Sequence, residues 1–101
     1  KWIISSISPK GELIIDDGAK KALSNGKSLL AAGIKKVSGK FNKGDHIKIL
    51  DKQNSEYARG LSSFSSDEIL KIIGHHSKEI EKLLGYVAKS EVIHKDDMVK
   101  V

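Results

Sequence analysis

Cysteine is absent from this sequence of 101 residues. Without thiols, the chain can form no disulfide scaffold, no cysteine-ligated zinc or iron–sulfur site and no thiolate nucleophile. Long apolar runs are absent too: none exceeds five residues, so the sequence predicts neither a membrane-spanning segment nor a signal peptide. Aromatic residues are scarce at 5%, which leaves few rings for stacking on nucleic-acid bases.

Length and composition indicate one folded domain. Hydrophobic residues make up 39% and charged residues 31% of the chain, proportions typical of a globular protein and not of a disordered one. A chain of this length supports a single modest core. It begins with Lys1 and not with methionine. We therefore expect residues 1–10 to be a linker or entry strand from an upstream domain, and residues 11–101 to form the domain itself.

Positive charge is concentrated in one part of the chain. The segment from Gly18 to Gly44 contains seven lysines and no acidic residue, whereas the rest of the chain carries 11 basic and 13 acidic residues. A dense run of lysines favours a surface that contacts a polyanion. It is equally typical of a solvated face that keeps a small domain in solution, and composition alone leaves both interpretations open.

The pattern of apolar residues predicts many short strands interrupted by short helices. Strands are expected at residues 2–4, 12–16, 46–50, 56–61, 91–94 and 98–101. Within residues 28–41, Ile34 and Val37 lie an odd number of positions apart, so a strand there needs a bulge or a bend to bury both side chains. The predicted fold is mainly β with short helices, of the α+β class, and barrel-like.

Capping residues predict three short helices. The first is expected to have Asp17 as its N-cap. The second opens with a capping box formed by Ser65 and Glu68. The third is expected to be capped by Ser77 and to end at Gly85.

A search for catalytic or metal-binding motifs finds none. Gly26-Lys27-Ser28 resembles the end of a phosphate-binding loop, but Lys21 stands where that loop requires glycine, and the triplet closes a predicted helix instead of opening one. The four histidines lack the i, i+4 spacing of a helical metal site, and no cysteine completes a set. We therefore predict no catalytic residue and no metal ligand in this sequence.

Arg59 and the aromatic residues each allow two interpretations. Arg59 lies between Tyr57 and Leu61 in a predicted strand, where it can bind a phosphate or pair with a nearby acid at the rim of the barrel. Tyr57, Phe64 and Tyr86 can stack on bases, but the small number of aromatic residues favours a place in the core.

Several motifs occur in an order that is similar to that of a known family. They are IDDGAKKAL (15–23), GKSLLAAGIKKVSGKFNKGDHIKIL (26–50), EYARGLSSFSSDEI (56–69), SKEIEKLLGYV (77–87) and EVIHKDDMV (91–99). In this order and spacing they resemble the C-terminal domain of the bacterial glutamate 5-kinase family, which is a PUA domain. The resemblance covers residues 11–99 and implies a PUA-like pseudo-barrel of about six short strands with inserted helices.

The resemblance also implies a role. In that family the PUA domain follows an amino-acid-kinase domain, which uses ATP and Mg²⁺ to phosphorylate the γ-carboxylate of L-glutamate in the first step of proline biosynthesis. The resemblance therefore implies that the present chain holds no catalytic residue and no cofactor of its own. It implies instead a regulatory and assembly role beside the kinase domain, in a cytoplasmic homo-oligomer that does not bind membranes.

An RNA-binding module, either separate or as a second function of the kinase, is the alternative. Other members of the PUA family bind structured RNA through the first helix, the glycine-containing loop after it and nearby strand edges. On this sequence the resemblance assigns that surface to Lys20, Lys21, Lys27, Gly33, Lys35 and Lys36. All of these positions fall in the acid-free segment.

Overall fold

The computed structural model describes residues 8–101 and confirms a mainly β fold with short helices. Its seven strands are β1 Gly11–Ile15, β2 Leu29–Leu30, β3 Ile34–Gly39, β4 His46–Leu50, β5 Glu56–Leu61, β6 Glu91–Ile93 and β7 Met98–Lys100. Its α helices are α1 Asp17–Ser24, α2 Ser66–Ile72 and α3 Ile80–Leu84. The strand predicted at residues 2–4 lies outside the described residues. None of the helices in residues 8–101 combines the length and apolar character that crossing a membrane requires.

The strands form two sheets. Five of them lie in the order β3-β1-β4-β5-β7, and β2 pairs with β6 in a separate two-stranded sheet. Within the larger sheet β1 and β4 are parallel, and the other pairs are antiparallel. The larger sheet therefore cannot be a simple meander, because a parallel pair needs a long crossover connection between its strands.

Side chains from both sheets and from the helices form one hydrophobic cluster. Ile15, Ile47 and Ile49 of the larger sheet, Ile93 of the smaller sheet and Ile72 of α2 are completely buried within it. Burial of one such side chain contributes about 1.5–3 kcal/mol to the free energy of unfolding. The strand predicted at residues 46–50 is present as β4, and both of its isoleucines lie in this cluster. His46 and Leu50 at its two ends are buried as well.

The bulge predicted for the lysine-rich strand is present in β3. Ile14 of β1 is opposite Lys36, whereas the next residue, Ile15, is opposite Ile34. Lys35 is therefore the extra residue of a β-bulge. The bulge places Ile34 and Val37 on the same side of β3, and Ile34 is fully buried as a result.

The capping prediction was wrong by one residue for α1 and correct for α2. Asp16, and not Asp17, has the extended backbone of an N-cap, and its side chain accepts a hydrogen bond of 2.7 Å from the Ala19 N–H. Asp17 already has helical geometry, so its carboxylate lies in the first turn of α1. There it interacts favourably with the partial positive charge of the helix N-terminus. At α2 the predicted capping box between Ser65 and Glu68 is complete.

The cap predicted for the third helix was also wrong. A 3₁₀ turn, Ser77–Glu79, precedes α3, and the residue that caps it is His76, whose Nδ1 accepts from the Lys78 N–H at 3.2 Å. An imidazole nitrogen thus takes the place expected for the Ser77 hydroxyl. The end of α3 is as predicted, since Gly85 has a left-handed backbone with φ of 85°.

Helix α1 packs unusually closely against the 3₁₀ turn Ala31–Gly33 that follows β2. The Gly33 carbonyl accepts a hydrogen bond of 2.9 Å from the Asp16 N–H, just before the helix. A Cβ atom added to Gly33 would lie only 2.4 Å from the Cβ of Ala19. Glycine is therefore required at position 33 by the approach of the helix.

We predict that Gly33→Ala destabilises the chain, by about 1–3 kcal/mol, because the added methyl group overpacks the contact with α1. Gly18→Ala is the matched control. A Cβ at Gly18 meets only Asp16 Oδ1 at an ordinary 3.5 Å, and alanine favours helix by up to about 1 kcal/mol over glycine. Urea unfolding of both variants measures the two effects. Equal midpoints for Gly33→Ala and the parent chain would show that the contact is not tight.

Candidate polyanion-binding surface

The candidate surface residues all come from the part of the chain that runs from α1 to β3. The list is Lys20 and Lys21 in α1, Lys27 after that helix, Gly33 in the 3₁₀ turn, and Lys35 and Lys36 in β3. Because α1 packs on the turn at Gly33, the helix and the start of β3 are brought to the same part of the molecule. Their side chains nevertheless have different surroundings.

Lys20 is engaged within the domain. Its Nζ lies 3.1 Å from Asp51 Oδ2, in the loop between β4 and β5, and 5.4 Å from the centre of the Tyr57 ring. The ammonium group is thus held by a carboxylate and by the face of an aromatic ring. Tyr57 is half-buried and packs against the core, as predicted. Lys20 therefore links α1 to the β4–β5 hairpin, and a polyanion would have to compete with Asp51 for it.

Asp51 is the centre of this arrangement and was not identified from the sequence. Its Oδ1 accepts hydrogen bonds from the backbone N–H groups of Gln53 at 2.9 Å and Ser55 at 3.0 Å. The Ser55 N–H, followed by the Lys20 ammonium, holds the pKa of the Asp51 carboxyl below its ordinary value. An aspartate followed by a short polar turn is the sequence signal for such backbone bonds. Nothing in that signal identifies Lys20 as a partner.

Lys35 and Lys36 lie on β3, which forms one edge of the five-stranded sheet. Both are exposed, and neither forms a salt bridge within residues 8–101. Lysine and a bulge on an edge strand discourage pairing with a strand of another molecule. The same exposed ammonium groups are also available to a polyanion, so both interpretations of the lysine-rich segment still apply here. Lys21 is likewise exposed on α1.

Two of the candidate residues line a common cavity. A cavity of about 330 Å³ lies between α1 and the 3₁₀ turn, and Lys27 and Gly33 are both part of its wall. The rest of the wall is largely apolar and includes Ala22, Leu30 and Ala32. The other four candidate residues do not contribute to it. The structure thus divides the predicted surface into an ion-paired lysine, exposed lysines and a small apolar cavity.

Arg59 forms the ion pair that was one of its two predicted roles. Its guanidinium contacts the Glu56 carboxylate through Nε, and Nη2 lies 3.2 Å from Glu56 Oε1. The arginine lowers the pKa of the Glu56 carboxyl, and the carboxylate raises the pKa of Arg59. The guanidinium is therefore already occupied by a carboxylate, which leaves the phosphate-binding interpretation without support from its geometry.

The core position predicted for the aromatic residues is confirmed for Phe64 and wrong for Tyr86. Phe64 is buried, whereas Tyr86 is 50% exposed. The Tyr86 hydroxyl donates to the Glu68 carboxylate, which raises the pKa of the hydroxyl. Because Glu68 also completes the capping box of α2, this contact ties the segment after α3 to the start of α2.

The resemblance assigns ATP and Mg²⁺ to the kinase domain, and the described residues of this chain show no arrangement that fits either group. Within residues 8–101, no group of three or more histidine or acidic side chains is placed to hold a metal ion. The triplet Gly26-Lys27-Ser28 follows the C-cap of α1, where Gly26 has a φ of 77°. Helix carbonyl groups, and not N–H groups, point toward that end, so it lacks the donors that cradle a nucleotide phosphate.

Comparison with known proteins gives a family and several relatives. The profile of a family described as "PUA domain" matches residues 11–84. A glutamate 5-kinase of Pelagibacter ubique (strain HTCC1062) is 84% identical over all 101 residues, which correspond to 27% of that protein. A glutamate 5-kinase of Bartonella henselae is 51% identical over 98 residues, 97% of this chain and 26% of that protein. The chain thus spans about a quarter of the length of these curated relatives.

Solved structures of low sequence identity share the fold. A chain of the archaeal box H/ACA sRNP Nop10–Cbf5 complex matches 97% of this chain with a TM-score of 0.64 at 22% identity, over 26% of its own length. A PUA domain from Aeropyrum pernix K1, solved as a tartrate complex, matches 84% of this chain with a TM-score of 0.62 at 23% identity, over 41% of its own length. At such identities the likeness shows the fold alone.

We predict that Asp51→Asn destabilises the chain at neutral pH and that this loss disappears in acid. Because the folded-state pKa of Asp51 is lowered, the carboxylate stabilises the fold above its unfolded-state pKa, and the stabilisation is lost as the pH falls through the folded-state pKa. Urea unfolding across the acid range measures the difference between variant and parent. Asp17→Asn is the control for a surface carboxylate: Asp17 is 75% exposed, and both its pair with Lys52 and its place in the first turn of α1 contribute at most about 1 kcal/mol. A constant difference at all pH values would contradict the prediction.

Proposed function

Since this chain belongs to the PUA domain family, we propose that it is the regulatory and assembly domain at the C-terminus of a glutamate 5-kinase. The observation that carries the proposal is the 84% identity to such a kinase over the full 101 residues. A second kinase at 51% identity over 97% of the chain supports the same conclusion. Fold likeness alone would not support it, because one fold serves many functions.

In this proposal the chemistry belongs to the rest of the protein. The parent enzyme transfers the γ-phosphoryl group of ATP, with Mg²⁺, to the γ-carboxylate of L-glutamate in the cytoplasm, as the first step of proline biosynthesis. Following the resemblance, we assign ATP, Mg²⁺ and glutamate to the kinase domain. Residues 8–101 contain neither a metal-ligand cluster nor a phosphate-binding loop. The PUA domain then influences the reaction through contacts with the kinase domain or with other subunits of a homo-oligomer.

Deleting residues 11–101 from the full-length enzyme tests this division of labour. We expect the shortened enzyme to keep phosphoryl transfer, while its inhibition by proline or its oligomeric state changes. Initial rates with and without proline, together with analytical ultracentrifugation, measure both properties. Circular dichroism of the shortened enzyme serves as the folding control. The proposal is wrong if a folded shortened enzyme has no activity, or if inhibition and oligomeric state both stay the same.

RNA binding is a second candidate function, favoured by one specific observation. Lys21, Lys35 and Lys36 are exposed and form no salt bridge within the described residues. Three unpaired ammonium groups in an acid-free segment suit an RNA backbone. The same fold occurs in an H/ACA ribonucleoprotein bound to a substrate RNA, which matches this chain with a TM-score of 0.63 at 23% identity. Scarce aromatic residues weaken this candidate, because recognition of specific bases relies on stacking.

If RNA is bound, its affinity for the 101-residue chain should fall steeply with salt concentration. Each phosphate contact that is lost reduces the slope of log affinity against log salt by about one. We expect this reduction for Lys21→Gln and for Lys35→Gln, and no change for the control Lys78→Gln, which lies before α3. Filter binding of a structured RNA over a salt series measures the slopes. Undetectable binding at low salt would exclude this function.

A further inference from the structure

A second cavity, of about 370 Å³, shares Lys27 with the candidate polyanion surface but is otherwise lined by residues outside that surface. It opens between the end of α1, strand β5 and the segment that joins β6 to β7. Its wall contains three lysines and one acid, Lys27, Lys95, Lys100 and Asp96. The other wall residues are Leu23, Ala58, Met98 and Gly26.

Hydrogen bonds between distant parts of the chain hold this rim together. The Lys95 N–H donates to Ser28 Oγ at 2.9 Å, across 67 positions of sequence. The Lys100 ammonium donates to the Ser24 carbonyl at 3.4 Å, across 76 positions. The three lysines are therefore brought together by the tertiary fold and not by their order in the sequence. The second bond also commits Lys100 in part to the C-terminal end of α1, where a cation is favourable.

Positive charge at the cavity is largely uncompensated. Of the described residues that line it, Asp96 is the one acid, and its carboxylate lies 3.6 Å from His94 Nδ1. Neither Lys27 nor Lys95 forms a salt bridge within residues 8–101. Their ammonium groups can therefore bind an external anion without giving up a carboxylate partner.

Beneath the lysines the wall is apolar. Ala58 is completely buried, Leu23 is 4% exposed, and Met98 packs against the edge of the core. A cationic rim above an apolar floor suits a ligand that has both an anionic group and a hydrophobic part. The volume falls in the range of about 300–1,000 Å³ that is usual for small-molecule sites.

We propose that this cavity binds a small organic phosphate, with the phosphate group between Lys27 and Lys95 and the apolar part against Met98. A phosphate group carries about two negative charges and several acceptor oxygens, so it can be shared by two ammonium groups. A monocarboxylate carries one negative charge and therefore neutralises only one of them. The site lies on the PUA domain itself, and its occupancy is independent of whether the parent protein is a kinase.

The single methionine provides a direct test. Met98 is the only methionine of the sequence, so ¹³C-methyl labelling of the 101-residue chain gives one NMR signal, located at the cavity wall. We expect phenyl phosphate to shift this signal in a saturable way and to bind more tightly than inorganic phosphate, because only phenyl phosphate can contact the apolar floor. No saturable shift at millimolar phenyl phosphate, or equal affinity for the two probes, would overturn the proposal.

Substitution of the lysines tests the cationic rim. We expect Lys27→Gln and Lys95→Gln each to weaken phenyl phosphate binding by about tenfold, the usual effect of losing one charge-assisted hydrogen bond. The matched controls Lys35→Gln and Lys78→Gln remove the same charge elsewhere and should leave the affinity within about twofold. An equal loss in a control would show non-specific charge attraction and refute the site.

A single-stranded oligonucleotide at the same phosphate concentration distinguishes a polynucleotide from a small ligand. We expect it to shift the Met98 signal no more than inorganic phosphate does. If instead it binds more tightly than phenyl phosphate and loses this affinity in Lys27→Gln, the cavity holds part of a polynucleotide and the small-ligand assignment is wrong.

Discussion

The parallel pairing of β1 with β4 is the constraint on which the rest of this structure depends. Two parallel neighbours cannot be joined by a hairpin, so the chain between them has to cross from one end of the pair to the other. Here the crossover is residues 16–45, and it contains α1, β2, a 3₁₀ turn and β3. All six residues of the candidate polyanion surface lie within it. Their arrangement is therefore decided by how the crossover packs, and in particular by the contact of α1 with Gly33.

The acid-free segment is continuous in sequence but not in chemical environment. Lys20 forms a salt bridge with Asp51 in the turn of the β4–β5 hairpin. Lys27 lies at the far end of α1 beside Lys95 and Lys100, which come from the last part of the chain. Lys35 occupies a bulge on an edge strand. The number of lysines in the segment therefore overstates the positive charge that one ligand can contact. It also omits Lys95 and Lys100, which line the same cavity as Lys27.

Local features of the fold were predictable, because they depend on neighbours in sequence. The Ser65–Glu68 capping box needs residues three positions apart, and the bulge in β3 follows from the odd spacing of Ile34 and Val37. The N-cap of α1 was displaced by one residue because two adjacent aspartates have equal capping ability, and the turn at Gly33, whose carbonyl binds the Asp16 N–H, favours the first. Before α3, the capping residue is His76 and not Ser77 because a 3₁₀ turn precedes the helix, and no local sequence pattern predicted that turn.

The candidate sites were less predictable, because they depend on contacts between distant residues. The partner of Lys20 lies 31 positions away, and the contacts that bring the end of the chain to α1 and to the segment after it span 76 and 67 positions. Nothing in a single sequence indicates which of its distant residues will form such pairs. The resemblance to PUA domains correctly indicated the fold, but it could not separate the ion-paired lysine from the exposed ones.

The hairpin turn at Asp51 also has a consequence for the order in which the chain folds. Among the strand pairs described, β4–β5 alone joins neighbours in sequence; β1 and β4 pair residues 36 positions apart, as in Gly11 and Ile47. Closing a long loop costs entropy before its contacts are gained, so the local hairpin is the pair that can form first. Asp51 stabilises the turn of that hairpin through its backbone bonds. Its second oxygen binds Lys20 of α1, so that one carboxylate stabilises both the local hairpin and the packing of the crossover against it.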